Sequence, residues 1–190
     1  MAIEDYLSSN AIREHYVALM NIGVIYQQDL ENYVVAMDYF DKSEEVFDKY
    51  PLLYRNKART FILMNDFENA EKDFNKAINI DSTNYINYSS RADFYTKHIQ
   101  DYDKAEADYT KAIKLNPTAF DPYMNRAYFY DVNKKDWNKA IEDYNSALKI
   151  SPSPAIFRNI AIEYDTNEEI KNPVTALEYI NKSIEANPNY

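Results

Sequence analysis

Small residues recur along this chain at Gly23, Ala58, Ala92, Ala127 and Ala161, at intervals of 35, 34, 35 and 34 residues. A self-similar period of that length is the signature of a stacked helical repeat, and it governs every other reading of the sequence. Three residues after each small residue stands an aromatic: Tyr26, Phe61, Tyr95, Tyr130 and Tyr164. A second pattern follows in each period. The segments NAEKDFNKAINI, KAEADYTKAIKL and KAIEDYNSALKI carry Ala70/Phe74/Ala77, Ala105/Tyr109/Ala112 and Ala140/Tyr144/Ala147. Spacings of four and three put each set on one helical face. Weaker copies sit at Ala36/Phe40/Ser43 and Ala176/Ile180/Ser183.

Each period therefore holds two helices, A and B. Between them runs Asn32-Tyr33, Asp66-Phe67, Asp101-Tyr102, Asp136-Trp137 or Asn172-Pro173, and the acid or amide suits the N-cap of helix B. Helix B ends towards Pro117, Pro152 or Pro188. The sequence has one glycine in 190 residues. β-Hairpins and phosphate-cradling loops lean on glycine, so all-β and nucleotide-binding folds are excluded together. The small residues let helices A and B approach closely, and the aromatics fill the space towards the next pair. No single pair can bury its apolar face alone.

These positions resemble the tetratricopeptide repeat, a 34-residue helix–turn–helix unit. The family's small-residue, aromatic, Ala, aromatic, Ala and Pro positions are met over nearly the whole chain. The resemblance implies an all-α, right-handed superhelix of antiparallel helix pairs. Five repeats are expected at 16–50, 51–84, 85–119, 120–153 and 154–190, in a single array spanning 1–190. Extra residues in the A–B turns of repeats three to five are expected to account for periods above 34. Residues 2–10 echo residues 140–148 and read as helix B of an earlier repeat, a half repeat over 1–15. The chain stops where another repeat would begin, so it is expected to be a segment of a longer array.

If the small residue of helix A is position 8, then positions 4, 7, 8 and 11 fall on the buried side and 2, 5, 6, 9 and 13 cluster opposite. The resemblance implies that this second face lines a concave groove. Position 6 holds Asn21, Asn56, Ser90, Asn125 and Asn159, which resembles a ladder of amides able to grip the main chain of an extended peptide. The competing reading is that these asparagines bond only to the scaffold or to water. Arg55 and Arg59 lie four apart on one face, and Arg158 adds a third cation. Guanidinium groups suit carboxylates, so an acidic segment or a free C-terminus is an expected ligand, against pairing with the chain's own acids. Met124 and Tyr128 join the groove set. Val17, Met20, Leu52, Ile86 and Ile162 either anchor a peptide or pack on neighbouring helices. The family's chaperone-tail clamp is not met: Met20 and Val24 stand where repeat one would supply it, and Asp121 replaces a later cation.

Function classes fall away on charge and on missing chemistry. The net charge of −10 is wrong for nucleic acid and for anionic membranes. No apolar run approaches the roughly 20 residues that span a bilayer. No leader is visible and there is no cysteine, which favours the cytoplasm. His15 and His98 stand apart from any nucleophile or ligand set, and Asp101, Asp103 and Asp108 lack the glycine and glutamate of a calcium loop. Asn87-Tyr88-Ser89 and Asn181-Lys182-Ser183 match the glycosylation pattern but fall inside expected helices. The expectation is a non-catalytic scaffold without cofactors that binds a protein or peptide. Assembly through the ends of the array, or a regulatory arm on a larger enzyme, are the alternatives.

Overall fold

The computed structural model describes residues 2–186. Among them there is no strand. The helices are α1 (Ala2–Gln28), α2 (Tyr33–Val46), α3 (Pro51–Leu63), α4 (Phe67–Ile80), α5 (Tyr85–Phe94), α6 (Tyr102–Leu115), α7 (Phe120–Tyr128), α8 (Trp137–Ile150), α9 (Pro154–Thr166) and α10 (Pro173–Ala186). Odd-numbered helices are the A helices and even-numbered ones the B helices of five pairs. The chain divides into two compact units, one up to Arg91 and one from Ala92 onward, and the division falls within α5.

The start of every B helix is set locally. Asn32, Asp66, Asp101, Asp136 and Asn172 each accept a hydrogen bond from the backbone N–H three residues on, at 3.1–3.2 Å. This satisfies one of the donors that a helix start leaves orphaned. Pro51 and Pro154 open α3 and α9, where a missing N–H costs nothing. Pro117 and Pro152 follow α6 and α8 as expected, whereas Pro188 lies outside the described residues.

The pairs pack as the small residues require. Ala36, Ala58, Ala70, Ala77, Ala92, Ala105, Ala112, Ala127, Ala140 and Ala147 are fully buried. At Gly23 a Cβ would lie 2.6 Å from the Phe40 ring and 3.1 Å from the Ala36 carbonyl oxygen, so this pair has closed further than alanine permits. Phe40, Phe74, Tyr109 and Tyr144 are buried at the shared register of the B helices. Each such burial is worth about 1.5–3 kcal/mol. In the first and last pairs serine takes the place of the second alanine. There the hydroxyl donates to the backbone carbonyl seven residues before the small residue of helix A: Ser43 to Tyr16 at 2.8 Å and Ser183 to Pro154 at 2.9 Å. The weaker copies thus make the same close contact with a hydrogen bond added.

Two features depart from the sequence reading. The helix begun at Ala2 runs to Gln28 with no turn near residue 15, so the stretch read as a separate helix B continues directly into helix A. The extra residues of repeats three and four do not lengthen a turn. They widen the end of helix A into a π-helical segment, Tyr95–Ile99 after α5 and Phe129–Lys134 after α7. Both segments stop at a left-handed residue, Gln100 (φ 60°) and Lys135 (φ 57°), as Glu31 and Asn65 do in the first two pairs.

Candidate functional site

The helix-A face expected to line the groove is exposed in parts, and each unit is best described on its own. In the second unit a cavity of about 380 Å³ opens between the end of α5 and α7, bordered by Asp93, Lys97, Gln100, Asn125, Tyr128 and Val132. Asp93 and Lys97 are positions 9 and 13 of repeat three, Asn125, Tyr128 and Val132 are positions 6, 9 and 13 of repeat four, and Gln100 is the left-handed residue that ends the widened helix. The 3.6-residue helical period brings them to one side. Tyr128 is 57% exposed, with its ring free to meet a ligand.

Behind the cavity lies a polar network. Asp93 accepts from the Tyr109 hydroxyl at 2.6 Å and from the Asn125 amide at 3.4 Å, a long contact that holds Asn125 only loosely. Thr96 lies 3.4 Å from the same hydroxyl and donates to the Ala92 carbonyl at 2.9 Å. Burial pushes the Asp93 carboxyl above its ordinary range, against the opposing pull of the Tyr109 hydrogen bond and the Lys97 charge. Burial, then the Asp93 charge, raise the Tyr109 phenol as well. Sequence reasoning missed Asp93 and Lys97, although both occupy registers it had assigned to the groove.

Asn159 reaches the hydroxyl of Tyr144, whose phenol burial raises. Arg158 is exposed and borders a separate cavity of about 570 Å³ between α9 and α10, with Ser153, Pro154, Ile180 and Ile184. Met124 is half-buried beside Asn125.

In the first unit Asn21 is exposed, and Asn56 and Ser90 are half-buried. The Asn56 carbonyl accepts from the Gln27 amide at 3.3 Å and from Thr60 at 3.0 Å, which leaves its side chain out of that contact. Arg55 and Arg59 part company. Arg55 turns into the fold and donates to the side-chain amide oxygen of Asn87 at 2.5 Å, and burial lowers its pKa. Its partner is a neutral amide and not one of the chain's acids. Asn87 is itself fully buried and donates to the carbonyls of Ala77 (3.1 Å) and Asp81 (2.9 Å), closing the end of α4. An asparagine so enclosed is no glycan acceptor in the folded chain. Arg59 is exposed and borders a cavity of about 390 Å³ with Gln27, Glu31, Tyr33 and Leu63. Met20 is buried against Phe40 and Leu53, so it belongs to the core and not to a ligand surface.

Among the described residues no cluster of His, Cys, Asp and Glu could hold a metal ion, and no helix is long and apolar enough to cross a membrane. His98 stacks on Phe94 at 6.2 Å.

Comparison with known proteins agrees with this geometry. No curated protein sequence matches the chain. Solved structures do. The crystal structure of MamA is 20% identical, covers 90% of this chain and 91% of its own, and superposes with a TM-score of 0.70. The pilF protein of Pseudomonas aeruginosa is 19% identical over 92% of this chain and 78% of its own, with a TM-score of 0.75. YrrB, described as a TPR protein with an unusual peptide-binding site, is 17% identical over 96% and 93%, with a TM-score of 0.65. Such identities speak for the fold alone. The tetratricopeptide repeat family model matches residues 53–84, 87–118 and 120–154, more than half of the sequence. On its register, its capped helix pairs and that match, the chain belongs to the tetratricopeptide repeat family.

Proposed function

We propose that the chain is a non-catalytic scaffold that grips an extended peptide of a partner protein along the helix-A face. The observation that carries this is the cavity bordered by Asp93, Lys97, Asn125 and Tyr128. The Asn125 amide is held by one long hydrogen bond, so it can exchange that bond for a peptide carbonyl while its own oxygen accepts a peptide N–H. Tyr128 offers a flat apolar surface at low entropic cost. Asn21, Asn56, Ser90 and Asn159 hold the same register in the other pairs and take the same role. Acidic side chains or a terminal carboxylate pair with Arg59 and Arg158, because Arg55 is engaged by Asn87.

The test is a peptide-library screen on the chain beside an Asn56→Ala/Asn125→Ala double variant. Binding weaker by tenfold or more, about 1.4 kcal/mol, with an unchanged melting temperature is the expected result. A large loss of stability in the variant would make the asparagines structural, and no binding by either form would remove the groove reading. Assembly through the ends is a second reading, favoured by the exposed apolar faces of α1 and α10.

A further inference from the structure

Neighbouring pairs inside the chain meet in a fixed register. At three of the four internal contacts the residue just before the small residue of helix A reaches back to the B helix before it, sixteen residues earlier; at the fourth, between α8 and α9, that residue is the buried Ile160. Lys57 donates to Asp41 at 2.7 Å and to Glu44 at 2.5 Å, Arg91 donates to Asn75, and Arg126 donates to Thr110 at 3.0 Å. Two further registers complete the contact. Phe129, two after Ala127, packs on Tyr109 with ring centroids 5.6 Å apart. Tyr130, three after it, donates to Glu106 at 2.8 Å.

The two terminal helices carry these registers uncovered. In the first pair the corresponding residues are Ile22, Ile25 and Tyr26. Ile25 is 49% exposed, whereas Thr60 and Phe129 in the same register are fully buried. In the last pair the corresponding positions of helix B are Leu177, Ile180 and Ile184. Ile180 is 41% exposed where Phe74, Tyr109 and Tyr144 are buried, and Ile184 is 56% exposed where Ile78 and Leu148 are buried. Ile22, Leu177 and Ile184 stand where Lys57, Glu106 and Glu44 stand inside the chain, while Asn181 stands where Asp41, Asn75 and Thr110 do; at the contact of α8 with α9 the same registers hold the buried Ile160, Ile141 and Leu148. Ile22 meets no unpaired acid if it faces Ile184, and the tail offers it no Glu44 equivalent. The α10 face Leu177, Ile180, Asn181 and Ile184 repeats the α8 face Ile141, Tyr144, Asn145 and Leu148, and Ile22 of α1 repeats Ile160 of α9.

We infer that the α1 face of one copy docks on the α10 face of a second copy, head to tail, in the register of the internal repeats. Ile22 then lies against Asn181 and Ile184, Ile25 against Ile180, and Tyr26 against Leu177. The apolar cavity between α9 and α10, which Ile180 and Ile184 border, receives the incoming side chains. The inference rests on the assembly reading and is independent of peptide binding. Such a contact is heterologous: every pair of copies still presents one open head and one open tail.

The experiment uses the full chain, an Ile25→Glu head variant and an Ile184→Glu tail variant, with mass measured by sedimentation from about 1 µM to about 1 mM. Both substitutions are at exposed positions, and circular dichroism melting checks that each variant is folded. The wild type is expected to grow in mass with concentration while each variant alone stays a monomer. An equimolar mixture of the two variants is expected to form dimers and nothing larger, because one intact head and one intact tail remain. Constant mass for the wild type would overturn assembly altogether. Growth of the wild type without pairing in the mixture, or growth of either variant alone, would overturn the head-to-tail register while leaving assembly standing.

Discussion

Asp73 shows how one side chain can set the response of a pair to pH. Its Oδ2 is buried without a hydrogen-bond partner, and burial pushes the carboxyl up to about 6, with the Lys57 charge pulling it down too weakly to compensate. An unfolded aspartate titrates near about 4. The folded chain therefore holds the extra proton between those values. The stability that this proton contributes is full below about pH 4 and is lost as pH rises through about 6. Asp73→Asn should raise the melting temperature at pH 7 and leave it nearly unchanged at pH 4; an equal gain at both would show that the carboxyl is not protonated in the fold. Glu44 works in the opposite sense. Burial raises it, but hydrogen bonds from Lys57 and Lys76 outweigh that and hold it at about 2, so its contribution is lost as pH falls towards that value. At this scale the sequence was legible where interactions are local. The five caps on the B helices span three residues and could be read directly. Asn87 could not, because its partners, Ala77, Asp81 and Arg55, lie on helices that only the fold brings to it. The same distance hid the fate of Arg55, which on helical spacing alone stood beside Arg59.

At the scale of the element, the A helices end without glycine. Glu31, Asn65, Gln100 and Lys135 all take the left-handed conformation, which costs a side-chain-bearing residue about 1–2 kcal/mol. Asparagine tolerates it best, and only one of the four is asparagine. Gln100→Gly should stabilise the chain by about 0.5–1 kcal/mol, the relief of strain being partly offset by the greater freedom of glycine when unfolded. A urea midpoint that falls instead would show that Gln100 makes contacts worth more than its strain. Helix identity and pairing were readable from the 4–3 spacing of alanines and aromatics, since that spacing is what closes one helix on another. The placement of the extra residue was not. A period of 35 counts residues between two marks and says nothing about where between them the backbone widens.

At the scale of the whole molecule, a repeat protein adds its stability pair by pair, so damage should stay near where it is done. Ala36 is fully buried, with its carbonyl oxygen against Gly23. Ala36→Leu should overpack that contact at a cost of about 1–3 kcal/mol. Amide hydrogen exchange should then quicken in the unit up to Arg91 and change little from Ala92 onward. Uniform quickening across both units would mean that the chain opens as one block. The family and its repeat period were written plainly in the sequence, because five near-copies of one pattern reinforce each other. The candidate site was only half legible: the register pointed to Asn125 and Tyr128, while the part played by Asp93 emerged from its contact with Tyr109 on a different helix.

The widened ends of α5 and α7 bear on how such a chain can change over time. A single inserted codon would ordinarily rotate everything downstream by about 100°, turning core residues to solvent. A π-helical segment absorbs the insertion before the next cap, so the phase of the following helix is restored. Repeats of unequal length can then be duplicated, lost or exchanged by recombination while each interface keeps its pairing.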